Sequence, residues 1–140
     1  MDLKNTNIRA LSWKEPFGSL MLHGKIETRT WYTKYRGLVL ICTSKKSYND
    51  KELFSISGWD TYHKIYDLVK ENTGKAVAVG NLVECRGMNL GDGEKCFVNF
   101  NSSLFCHIYE DVRAIEPFEW KGSQGWRTLT EEQKNLIKFI

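Results

Sequence analysis

Lys25, Glu27 and Arg29 stand at alternate positions of the stretch Gly24-Lys25-Ile26-Glu27-Thr28-Arg29-Thr30-Trp31. Residues two apart on a strand point to one face. The spacing therefore predicts three charges of mixed sign on a single surface, with Ile26 and Thr28 turned the other way. Two chemistries follow from these residue types. Arg29 offers a planar fork for a phosphate, a carboxylate or a base edge, and Glu27 either fixes that fork or accepts from the exocyclic amine of a base. Lys25 acts as a nucleophile or general base only when neutral, which requires its pKa to fall several units from ~10.4 through burial or a cationic neighbour. Glu27 sits between Lys25 and Arg29 and opposes that fall, so an ion-pair ladder is the expected state. The same alternation also describes a half-buried edge strand whose outer face is simply solvated.

The surroundings add binding groups. Trp13, Trp31 and Trp126 are candidates to stack a base, worth ~1–3 kcal/mol per base. Lys34, Arg36, Lys45 and Lys46 flank the same region and either follow a phosphate backbone or form an ordinary basic surface. Three histidines are present. His23 either lines a cleft or suits the dipole at a helix C-terminus, His107 reads as structural, and His63 as a helix surface residue. No metal site is expected: the cysteines, Cys42, Cys85, Cys96 and Cys106, form no C-x-x-C pair and have no histidine at ligand spacing. No cofactor is expected either, because neither G-x-G-x-x-G nor G-x-x-x-x-G-K occurs.

Those residues must be positioned by a chain of 140 residues, enough for one domain with its own core. A hydrophobic share of 41% with 26% charged residues is that of a soluble globular protein, which argues against disorder. Net charge is +3, which permits an anionic partner without demanding one. The cysteines lie in apolar, strand-like runs and read as buried free thiols, as in a reducing compartment. Met1-Asp2-Leu3-Lys4-Asn5 lacks an apolar signal core and no apolar run reaches spanning length, so a cytoplasmic protein without membrane contact is expected.

In chain order, Ile8 to Trp13 reads as a strand, and Glu15-Pro16 opens a helix that Gly24 ends. Lys25 to Trp31 is the charged strand, and Leu38 to Cys42 a central strand buried on both faces. Helices are predicted over Lys51 to Ser55, capped by Asn49 or Asp50, and from Trp59 to Glu71, with Tyr62, Ile65, Tyr66 and Val69 toward the core. Ala76 to Cys85 is a strand, Met88 to Lys95 a loop, and Cys96 to Phe100 a short extended piece. Phe105 to Ile115 is a further strand, ending at Pro117, and Lys121 to Trp126 is a turn. Thr130-Glu131-Glu132-Gln133 is a capping box that starts a closing helix over about 130–139. Five or six short strands with inserted helices suggest an α+β chain, a small mixed β-barrel with helices packed around it.

The order of motifs resembles the ASCH family, a branch of the PUA-like β-barrels. The resemblance rests on Leu11-Ser12-Trp13-Lys14-Glu15-Pro16-Phe17, on Gly24 to Trp31, on Tyr35-Arg36-Gly37 before an apolar strand ending Ser44-Lys45, and on Val79 to Cys85. Tyr109 to Pro117 and Lys121 to Trp126 also carry it, so it covers about residues 8–126 of a single domain spanning 1–140. The family signature is G-x-K-x-x-E-x-R, usually followed by a small residue and tryptophan. Glu27, Arg29 and Trp31 match it, although only two residues separate Gly24 from Glu27 where the family has four. The resemblance implies a PUA-like barrel with a cleft where the E-x-R strand meets the preceding helix, and a module that binds RNA or a nucleoside-like molecule. Glu27, Arg29, Trp31, Trp13, Lys45, Lys46 and Trp126 are the candidate binding residues. One bacterial branch removes the acetyl group from N4-acetylcytidine, and carrying over its residues gives Lys25, Thr28 or Thr30, and Glu84 as a candidate amidohydrolase set. A coactivator-like module with a protein partner is a third expectation.

Overall fold

The computed structural model describes residues 3–122 and 124–140. Met1 and Asp2 of the polar N-terminus and Ser123 of the Lys121–Trp126 turn lie outside the described residues. The chain is α+β, a six-stranded mixed sheet curled into half a barrel with five short helices. β1 (Ile8–Glu15) is followed by α1 (Phe17–Leu20), a 3-10 turn (Met21–His23) and the short β2 (Glu27–Arg29). β3 (Gly37–Ser47), α2 (Asp50–Ser57), α3 (Trp59–Leu68) and β4 (Lys75–Gly87) come next. A second 3-10 turn (Leu90–Asp92), α4 (Gly93–Cys96), β5 (Phe105–Glu119), β6 (Arg127–Thr128) and α5 (Glu131–Lys134) complete the order.

In space the strands run β2-β5-β4-β3-β1-β6, antiparallel except for the parallel pair β1–β3. A parallel pair needs a crossover, and α1, the first 3-10 turn and β2 supply it. The curl has a local cause. β4 and β5 slip register between Ala76 and Ala78, Val79 and Asn81, and Leu82 and Glu84, and each bulge bends and twists its strand. Gly80 lies at one of these slips. A Cβ there would meet Val112 Cγ2 at 3.0 Å and Tyr109 Cδ2 at 3.2 Å, so the side chains of β5 fold over bare backbone. The sheet consequently wraps until β2, at one edge, touches β1, the fifth strand: Arg29 Nη2 donates to Ser12 O at 3.0 Å.

The central strand is buried on both faces, as its unbroken apolar run predicts. Val39 and Ile41 join a core with Trp13, Phe17 and Leu20, while Leu40 and Cys42 join a second with Ile8, Ile115 and Trp120. All four cysteines are free and buried. No helix among the described residues is long and apolar enough to cross a membrane.

Several expectations need correction. The charged strand shrinks to Glu27–Arg29 because Lys25 N–H donates to Leu20 O and Ile26 N–H to Lys95 O, outside any ladder. Beyond it, Trp31 O is held by the His107 ring and not by a neighbouring strand. The helix predicted to Glu71 stops at Leu68, because Glu15 accepts from Asn72 N and Thr43 Oγ1 donates to Asn72 O, pulling that segment onto β1 and β3. Within it Ile65 is buried, but Tyr66 is 72% exposed. The predicted 88–95 loop contains a 3-10 turn and α4, since the Asp92 carboxylate accepts from Asn89 N at 2.7 Å and caps the turn. Cys96 ends α4 and Phe97 is left-handed (φ 60°), so no strand follows. β5 continues past Pro117 to Glu119, and β6 is a two-residue pairing.

The closing helix also ends early, at Lys134. Thr130 caps it as its sequence predicts, accepting from Gln133 N at 3.1 Å. Beyond it, Ile137 and Phe139 are spaced by two and pack on the second core. That period suits an extended chain, and Phe139 bridges to Ile115 of β5.

Candidate functional site

The Glu27 carboxylate is the hub of the charged stretch. Its Oε1 accepts from Lys25 Nζ at 2.9 Å and from Thr28 N at 3.1 Å, and its Oε2 pairs with Arg29 Nη2 at 3.0 Å. The ladder expected from sequence therefore forms, but not on a solvated face: Lys25 and Glu27 are 3% and 4% exposed. Burial alone would raise the Glu27 pKa. The charges of Lys25 and Arg29, with the hydrogen bonds from Lys25 and Thr28, outweigh it and hold the carboxyl below its ordinary value.

Arg29 is fixed on three sides. Nη2 is shared between Glu27 and Ser12 O, and the guanidinium lies 4.9 Å from the Trp13 ring centroid. Its Nε is buried without a hydrogen-bond partner among the described residues. Trp31 stands beside it, its ring edge-on to His107 at 4.8 Å and to Trp126 at 5.9 Å. His107 lies opposite Glu27 in the β2–β5 ladder, and its Nε2 donates to Trp31 O at 2.9 Å. Burial lowers its pKa from the ordinary histidine value, and the ring fixes the backbone of Trp31. That is the structural role expected for it.

Two cavities meet along this wall and share Ser12, Arg29, Trp31 and Ser44. The first, about 640 Å³, extends over Glu27 and Thr28 to Phe17, Tyr48 and the segment Val98 to Asn101. That segment is held in place by α2: Ile56 O accepts from Asn99 N at 2.9 Å and Ser57 Oγ donates to Phe97 O at 2.6 Å. The second, about 770 Å³, lies on the far side of Arg29, over Leu11, Lys45, Trp120, Lys121, Gly122, Gln124 and Gly125. Both are of a size suited to small ligands, mixing apolar and aromatic walls with a few polar groups.

Of the candidate binding residues, Glu27, Arg29, Trp31 and Lys45 line these cavities. Trp13 does not; it is 1% exposed and lies beneath Arg29 as a cation–π partner. Trp126 packs behind Trp31 and Tyr35, and Lys46 is exposed outside both cavities. The amidohydrolase set is not brought together. Thr28 and Thr30 line the first cavity, but Lys25 is sealed beneath it, its Nζ bound to Glu27 and Ile26 O and lying 4.7 Å from the Phe17 ring centroid. Glu84 is exposed on β4 and lines neither cavity. His23 and His63 are exposed and line neither cavity.

Sequence reasoning missed the serines of β1 and β3, Tyr48, Lys121 and the Asn99-Phe100-Asn101 run. The asparagines on either side of Phe100, followed by Ser102-Ser103, are a loop signal that could have found the last of these. The chain matches no model of a known protein family, and no curated protein matches it.

Proposed function

We propose that the protein binds single-stranded RNA or a modified nucleoside in the cleft built on Glu27, Arg29 and Trp31, and that its curled sheet is a PUA-like barrel of the ASCH kind. The observation that carries this is the placement of Arg29. It is immobilised by Glu27, Ser12 O and Trp13, yet it belongs to the wall of both cavities with Trp31 beside it. A guanidinium held in this way meets a base edge or a phosphate with little further loss of side-chain freedom. Tyr48, Asn99 and Asn101 supply hydrogen-bonding groups across the first cavity from it. Four free thiols accord with a reducing compartment such as the cytoplasm.

An amidohydrolase built on Lys25, Thr28 and Glu84 has less in its favour, because Lys25 is locked in an ion pair and Glu84 lies outside the cleft. Cytidine released from N4-acetylcytidine by the wild type but not by Thr28→Ala would reinstate it. A protein partner is favoured only by the exposed aromatic side chains of α2 and α3, Phe54, Trp59 and Tyr66.

Fluorescence anisotropy with labelled single-stranded RNA tests the binding. Affinity is expected to fall with salt, and Arg29→Ala to weaken it about ten-fold or more, the scale of a lost charged hydrogen bond. Because Arg29 also ties β2 to β1, the test includes the wild type: its Trp31 indole resonance should shift on titration with the RNA. Salt-independent binding, or an unmoved Trp31 resonance, would reject the assignment.

A further inference from the structure

We infer that the second cavity, across Arg29 from Glu27, holds the phosphodiester of a neighbouring nucleotide, so that the ligand is an oligonucleotide strand and not a free nucleoside. This rests on the proposed reading of the first cavity as a base site. The two cavities differ in charge. The first is lined by Lys14 and Arg29 together with the carboxylate of Glu27. Among the described residues the second is lined by Arg29, Lys45 and Lys121 and by no carboxylate, on a chain whose net charge is only +3. Glu119, whose pKa is lowered chiefly by the hydrogen bond and charge of Lys75 and least by Lys45, is ion-paired to Lys75, and its side chain is 82% exposed. Among the described residues, Lys45 and Lys121 have no hydrogen bond or ion pair. Cations of one sign lining a concave wall raise the local concentration of an anion.

The shape of this cavity suits a strand. Gly125 on its far side has open space where a Cβ would stand, so backbone there can approach a ligand closely. Gly122 lies against β1, where a Cβ would meet Ser12 Oγ at 3.0 Å. Lys45 and Lys121 are both exposed at this cavity, so each is accessible to a phosphate of a strand passing over it. Continuity through Arg29 and Trp31 then places base and phosphate of one strand on either side of a single residue pair.

Anisotropy of a labelled nine-nucleotide single-stranded RNA of mixed sequence, measured across salt, tests this. Lys45→Gln and Lys121→Gln are each expected to weaken binding several-fold and to lower the slope of log affinity against log salt by about 0.7, one phosphate contact on a single strand. Lys46→Gln removes an equal charge next door, outside the cavity, and is expected to change little. Equal effects from Lys46→Gln, or no effect from Lys45→Gln and Lys121→Gln while Arg29→Ala still loses binding, would overturn the phosphodiester site and leave the base cleft standing. Competition by inorganic polyphosphate as strong as by unlabelled RNA would also overturn it, since the cavity would then answer to charge alone. A wild-type protein that does not bind the RNA at all would overturn both.

Discussion

Glu27 gathers Lys25, Thr28 and Arg29 on one buried carboxylate, so its ionisation is tied to folding. Its folded pKa is held below its ordinary value of 4.5. The stabilisation is therefore complete above the unfolded-state pKa and is lost as pH falls through the lower folded one. Glu15 acts in the opposite sense. It is buried and accepts from Ser19 and Asn72, but burial prevails and raises its pKa, so its ionisation opposes folding as pH rises above 4.5. The difference between wild type and Glu27→Gln isolates the first effect. Urea denaturation should find Glu27→Gln less stable by about 3 kcal/mol at pH 7, the cost of leaving a buried charge partner uncompensated. The gap should narrow as the pH approaches 3; a gap that stays constant would contradict the linkage. At this scale the sequence was informative about charges and poor about rings. Alternation brought Lys25, Glu27 and Arg29 together, whereas whether Trp13 faces ligand or core depended on the curl of strands far away in the chain.

Among the elements, α1 and the turn after it position the site, and two glycines make this possible for different reasons. Gly18 lies where a Cβ would meet Thr43 Cγ2 at 2.9 Å, Glu15 Oε1 at 3.0 Å and Trp13 Cβ at 3.2 Å, so α1 packs directly on β1 and β3. Gly24 has φ 82° and open space around it, and its left-handed conformation sends the chain toward Lys25. Thermal melts should separate the two. Gly24→Ala should cost about 1–2 kcal/mol, the penalty for a left-handed alanine. Gly18→Ala should cost about 1–3 kcal/mol through overpacking and, unlike Gly24→Ala, should disturb the near-UV signal of Trp13. Helix starts were well marked in the sequence: Asn49 forms a capping box with Glu52, and Thr130 with Gln133. Helix ends after Leu68 and Lys134 were not, because side-chain bonds to Asn72 and the docking of Phe139 decide them.

For the whole molecule, the long strands β4 and β5 supply the frame and their bulges supply its curvature. The strands themselves were readable from apolar alternation. Their bulges were not, because a register slip depends on both partners and leaves no mark in either strand alone. Yet the slips bring the two edges of the sheet toward each other and so form both cavities. The cleft is therefore a property of the curled shape, and residues as separate in sequence as Ser12, Arg29, Ser44 and Lys121 share it. One wall of it is held lightly. β2 contributes only three ladder partners, His107, Cys106 and Phe105, against the extended pairings of β3 and β4. Opening that wall needs far less than global unfolding, so the amides of Thr28 and Arg29 should exchange with deuterium well before those of β3. Saturating RNA should slow them selectively, as peptide-level exchange measured by mass spectrometry would reveal. If exchange in β2 is as slow as in β3 without ligand, the wall is rigid. Otherwise the protein holds its buried Lys25–Glu27–Arg29 cluster on a briefly paired edge strand, and occupancy of the cleft becomes part of what keeps that strand in place.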